Sequence, residues 1–192
     1  METYTKPISN PINYEHKMAV FFDGPNMATH DKQGLNNLLG KYGLVQIKEV
    51  FIKKDYNPRE VAFYIKNGFT PKINRQYDLD IDYDMKKRVR EFLNSDKNDS
   101  IDLIVLGTQD KHFVEIAELA KEKGKRVLVI GSENFSMNYQ LKAEANYFES
   151  LEMGINTFKP YKQGIKYELP LKKGQFKHIK QAHFAALDER MM

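Results

Sequence analysis

The sequence predicts an α/β fold, a parallel sheet with helices on both faces, from three observations. Short apolar runs, Met18 to Phe22, Ile101 to Leu106 and Val127 to Ile130, each end in a turn rich in glycine or polar residues; strands buried on both faces read this way. Between such runs lie segments with apolar residues at helical spacing, most clearly Ile81, Met85, Val89, Phe92 and Leu93. The alternation of strand and helix then implies parallel βαβ units.

Residues 1–16 are polar, hold Pro7 and Pro11 and lack a period, so they read as a leader. The first strand follows and ends at Phe22. Leu35, Leu38 and Leu39 then mark a helix between Asp31 and Tyr42, with Gly43 as its expected stop. Val45, Ile47, Val50 and Ile52 are β-branched with charges between them, a second strand. Asn57-Pro58 opens a helix through Ile65 that closes near Gly68, and Phe69 to Ile73 is a short strand. The acidic stretch from Tyr77 to Asp84 runs into the helix of the Ile81 stripe, where acids near the N-terminus complement the helix dipole. After the Ile101 strand, Gly107-Thr-Gln-Asp110 starts a helix that buries Phe113, Ile116, Ala117 and Ala120 and stops at Gly124. Val127 to Ile130 is a strand, Leu141 to Ala145 a helix, and Tyr147 to Leu151 the last strand.

Composition sets bounds. At 192 residues, 41% of them apolar, the chain is long enough for one full core and a small appendage. It has no cysteine, which excludes disulfides, thiolate zinc sites and cysteine nucleophiles and fits a reducing compartment; cytoplasm is the expectation. No apolar run approaches the roughly 20 residues of a membrane span. The net charge of +4 is unevenly placed, since residues 159–183 hold seven lysines against the single acid Glu168.

Asp23 stands where the first strand meets the turn Gly24-Pro25-Asn26, at the C-terminal edge where open α/β sheets bind their ligands. Asp84 and Asp110 are the other acids expected at that edge. Each also has a plain reading: Asp23 as a turn residue, Asp84 as a solvated acid pairing with Arg88, Asp110 as a helix cap. Asp78, Asp80 and Asp82 imitate a calcium loop, but Tyr83 and Val89 fill the positions that need glycine and glutamate, and that reading fails.

Taken together, Phe22-Asp-Gly-Pro-Asn26, Asp78-x5-Asp84, the run from Ile101 through Gly107-Thr-Gln-Asp110-Lys-His-Phe113, Gly124-Lys-Arg-Val127 and Ile130-Gly-Ser-Glu-Asn-Phe-Ser136 resemble the NYN-domain family. The resemblance spans residues 17–151, leaving 152–192 as a basic, aromatic-containing extension. It implies a Rossmann-like PIN fold and a metal-dependent ribonuclease, with acids that hold Mg²⁺ or Mn²⁺ and hydrolyse RNA. Carried over by motif, Asp23, Asp84 and Asp110 are the metal acids, and Asn26 and Thr108 orient them. Two positions depart from the family pattern. His112 stands where a second acid usually follows Asp110, and Asn146 where Ala-Asp is usual, so a fourth acid is missing; His112 or Asn146 is the candidate to ligate or to position a metal-bound water in its place, and a surface histidine and an ordinary amide entering a strand are the plain alternatives.

The chemistry agrees with the resemblance. Hard divalent cations take carboxylate oxygens, and such an ion acidifies water and neutralises charge on a phosphoryl oxygen. No Gly-rich phosphate loop follows the first strand, and Pro25, not an acid, lies two residues after Asp23, against a phosphatase or nucleotide-binding domain. Lysines mixed with Phe158, Tyr161, Tyr167, Phe176 and Phe184 in the extension suit single-stranded RNA, or else a solvated basic tail. The expected function is therefore a metal-dependent endoribonuclease leaving 5′-phosphate and 3′-hydroxyl ends. The alternative is a weak or inactive PIN-like module that binds RNA or protein. A homodimer is compatible with the fold, though no heptad or interface stripe marks one.

Overall fold

The computed structural model describes residues 16–27, 32, 34–74, 80–131 and 138–151. The leader up to residue 15, Asp78, the 132–136 part of the last motif and the extension from 152 lie outside the described residues. Within them the chain runs β1 (His16–Asp23), α1 (Leu35–Gly40), β2 (Gly43–Lys53), α2 (Pro58–Lys66), β3 (Thr70–Asn74) and α3 (Ile81–Leu93). It continues through β4 (Leu103–Gly107), α4 (Val114–Glu122), β5 (Arg126–Gly131), α5 (Tyr139–Glu144) and β6 (Tyr147–Ser150). The described strands form one parallel sheet in the order β3-β2-β1-β4-β5-β6.

Side chains alternate along each central strand, and the apolar runs therefore feed two cores. Ala19, Phe21, Ile104, Leu106, Val127 and Val129 point to one face and pack with the apolar stripes of α3, α4 and α5. Met18, Val20, Phe22, Leu103, Val105, Leu128 and Ile130 point to the other, against Leu35 and Leu39 of α1 and Tyr64 of α2. Phe21 and Phe22 are both fully buried, each worth about 1.5–3 kcal/mol over exposure. These neighbouring rings anchor β1 from opposite sides.

Local signals set the ends of the helices. Asn57 accepts from the Arg59 N–H at 3.0 Å with Pro58 in the first turn of α2, and Asp80 caps α3 through the Asp82 N–H at 3.3 Å. Gly43 differs from its expected role. It opens β2 rather than closing α1, because a Cβ there would lie 1.9 Å from the His16 carbonyl oxygen, and only glycine lets β2 start beside β1.

The chain leaves β1 toward β2 and β3 and returns to place β4 on the other side, so the connections diverge between β1 and β4. That switch opens a crevice at the C-terminal ends of the two strands. Among the described residues no helix is long and apolar enough to cross a membrane.

Candidate metal centre

The crevice receives acids from three elements. Asp23 ends β1 and is only 4% exposed. Its Oδ1 accepts the Asn26 N–H at 3.1 Å, while the Asn26 side-chain oxygen accepts the Gln109 N–H at 3.0 Å. Asn26 thus fixes the Asp23 carboxyl and ties the β1 turn to the exit of β4. Gly24 permits this turn, since a Cβ would meet Ile52 Cγ2 at 2.6 Å and the Phe51 carbonyl at 2.8 Å.

Asp110 follows β4. Its N–H donates to Thr108 Oγ1 at 3.2 Å, and its Oδ1 accepts the His112 N–H at 2.9 Å, capping a 3-10 turn that leads into α4. Thr108 is fully buried, and its hydroxyl oxygen shapes the turn that presents Asp110. The exposed His112 ring turns back on the acids, with Nδ1 3.2 Å from Asp110 Oδ1 and 3.7 Å from Asp82 Oδ2.

The acid from α3 that reaches this group is Asp82. Asp82, Asp110 and His112 bring ligand atoms within 4.8 Å of one another, and both carboxylates are close enough to Asp23 to act on its titration. Asp84, the residue selected from the sequence, is not brought into this cluster. Two helical positions separate it from Asp82, a rotation of about 200°. Long-range ion pairs show which flank faces where: Lys86 and Arg90 meet Glu115 of α4 at 3.3 and 2.8 Å, whereas Arg88 forks onto Glu49 of β2 with two contacts of 3.0 Å. Asp82 shares the α4 flank with Lys86, and Asp84 shares the β2 flank with Arg88. An i, i+4, i+8 reading of Asp82, Lys86 and Arg90 was available in the sequence, but nothing local says which flank meets α4.

Asn146 occupies the opposite edge of the sheet. Its side-chain oxygen accepts the Val127 N–H and its own N–H donates to the Val127 carbonyl, both at 2.8 Å, at the start of β5. It pairs strand ends far from Asp23 and does not replace the missing acid.

The electrostatics of the crevice are those of crowded carboxylates. Burial drives Asp23 up, the Asn26 N–H partly opposes it, and Asp82 and Asp110 add to the rise, leaving its pKa at about 7. Burial, then Asp80 and Asp110, also raise Asp82. A carboxyl raised in this way keeps a proton in the cluster toward neutral pH. A divalent cation would replace that proton and relieve the repulsion. A donor set of carboxylate oxygens and one imidazole, without sulfur, suits a divalent cation.

A parallel α/β fold thus gathers acids at its switch point as a candidate metal site. The chain belongs to the NYN domain family, a PIN-like nuclease family, whose model matches residues 17–152. A protein of Methanocaldococcus jannaschii, described as uncharacterized, is 32% identical over 123 residues, covering 62% of this chain and 49% of the relative. The chain therefore spans about half the length of that curated relative. A crystal structure of a protein of unknown function from Vibrio parahaemolyticus superposes with a TM-score of 0.58 at 17% identity, over 73% of this chain and 95% of the other. That likeness concerns the fold.

Proposed function

We propose that this chain is a metal-dependent endoribonuclease in which Asp23, Asp82 and Asp110 hold Mg²⁺ or Mn²⁺. The observation that carries the reading is the gathering of Asp82, Asp110 and His112 ligand atoms within 4.8 Å of one another, next to the buried Asp23 carboxyl that these acids help to raise. A cluster that repels itself is poorly suited to stabilising the fold and well suited to gripping a cation. When bound, the ion supplies charge neutralisation at a phosphoryl oxygen and acidifies water.

The protein's own groups do the rest. Asn26 keeps one Asp23 oxygen engaged through its N–H. Thr108 sets the turn of Asp110. His112, exposed at the mouth of the cluster, is placed to accept or donate a proton near an incoming phosphodiester, the position that in the family pattern belongs to an acid. Asp84 is outside this set because its flank of α3 faces β2.

The test is cleavage of an end-labelled single-stranded RNA with Mn²⁺, Mg²⁺ or chelator. Cutting that requires the metal, leaves 5′-phosphate and 3′-hydroxyl ends and disappears in Asp23→Asn/Asp110→Asn is the expected result. RNA binding that persists in chelator without any cutting would instead establish the alternative, an inactive PIN-like binding module.

A further inference from the structure

We infer that Tyr56, together with the buried Lys32–Glu60 pair, positions the Asp23 turn for cation binding; this rests on the metal-dependent reading of the same site. The turn from Asp23 to Met27 is held through its carbonyls by groups that no motif includes. The Tyr56 hydroxyl donates to the Gly24 carbonyl at 2.7 Å, and Lys32 Nζ donates to the Met27 carbonyl at 3.0 Å. These two bonds bracket Asn26, whose N–H and side chain fix Asp23 to the exit of β4.

Lys32 and Glu60 are 4% and 3% exposed and lie 3.3 Å apart, with the Phe63 and Tyr64 rings each 5.8 Å from the ammonium. A buried ion pair is weak as a stabiliser, because desolvation consumes most of its attraction, and an apolar pair of similar volume often serves stability as well. What the pair provides here is a directed bond to a backbone carbonyl at the one turn that carries the buried acid. Tyr56 reaches the same turn from the loop between β2 and α2, and burial, with Glu60 and Asp23 nearby, keeps its phenol protonated and therefore always a donor.

The experiment is a Mn²⁺ titration of the full chain followed by electron paramagnetic resonance, paired with thermal melts in chelator. Tyr56→Phe deletes one hydroxyl and is expected to weaken Mn²⁺ binding about tenfold or more, the usual scale for groups that orient metal ligands. Its melt in chelator should move by only a few degrees. Tyr42→Phe is the matched control: it deletes a hydroxyl that donates at 2.7 Å to Glu149, outside this turn, and should leave Mn²⁺ affinity unchanged. Lys32→Met/Glu60→Gln, which removes both charges together, should weaken binding as Tyr56→Phe does. Unchanged affinity in Tyr56→Phe and the double variant, or equal weakening in Tyr42→Phe, overturns the inference. A native chain that binds no Mn²⁺ overturns both the inference and the reading beneath it, and is distinguished because the native protein itself fails.

Discussion

At the N-terminal edge of the sheet His16 lies with Nδ1 2.9 Å from Asp102 and Nε2 3.2 Å from Arg126, and Arg126 donates to the Tyr147 hydroxyl at 2.9 Å. Burial alone would raise Asp102, but His16 and the Lys17 N–H outweigh it and hold the carboxyl below its usual range. At the C-terminal edge, Asp23, Asp82 and Asp110 face one another, and both Asp23 and Asp82 are driven upward. One edge surrounds its acid with hydrogen-bond donors, while the other gathers acids that repel one another. The first arrangement serves the fold; the second costs stability, and the proposed cation would offset that cost.

The sharpest way to break this contrast is Asp23→Asn. Cleavage should fall by about a thousandfold or more, the order seen when one member of a cooperating set is lost. The Mn²⁺-induced rise in melting temperature should vanish with it, because only a ligand of the native state shifts unfolding by mass action. In chelator near pH 8 the same variant should be more stable than the native chain, by an amount on the order of 3 kcal/mol, as an ionised buried carboxylate is replaced by a neutral amide. Loss of function with gain of stability distinguishes a binding acid from a structural one. A variant destabilised in chelator would reverse that assignment.

The next test separates the two acids of α3. Asp82→Asn should weaken Mn²⁺ binding by about 10–100-fold, whereas Asp84→Asn should stay within about threefold of native, as expected for a group outside the ligand shell and its immediate supports. The opposite ranking would place Asp84 in the site.

These two residues also mark where the sequence stopped being informative. The strands, the α3 stripe, the caps at Asn57 and Asp110 and the delivery of Asp23 to a sheet edge are local properties, legible from apolar runs and turn chemistry. Which flank of α3 meets α4 follows from how its apolar stripe packs into the core and is reported by Lys86 and Arg90 reaching Glu115 and Arg88 reaching Glu49, pairs between elements distant in the chain. The edge on which Asn146 lies follows from the register of β6 on β5. Tyr56 carries no spacing signal at all; its role depends on the loop after β2 folding against Gly24. Motif spacing located the crevice, and packing chose the residues that line it.

A pH series in chelator compares the edges directly. Asp23 titrates near 7 in the fold against an ordinary value of 3.8, so between those values the native state binds more protons than the unfolded state, and stability falls as pH rises from about 4 through 7. Asp102 is depressed. Its contribution is present above 3.8 and is lost as pH falls through its lower folded value. Urea midpoints should therefore decline toward neutral pH in the native chain, and the decline should flatten in Asp23→Asn. With saturating Mn²⁺ the decline should disappear, since the cation takes the place of the proton.

The smallest effect is expected at Asp102→Asn. The carboxylate is about half exposed, and a hydrogen bond of that kind contributes on the order of 1 kcal/mol, so the melting temperature should drop slightly. Mn²⁺ affinity should not move. His16 and Asp23 sit at opposite ends of β1, roughly 23 Å apart at about 3.3 Å of rise per residue, which is more than two screening lengths at physiological salt. A change of more than about twofold in Mn²⁺ affinity, well above what screened charges transmit at that distance, would mean that the two edges are mechanically linked through the strand. In that case the His16–Asp102 contact would belong to the site and not only to the fold.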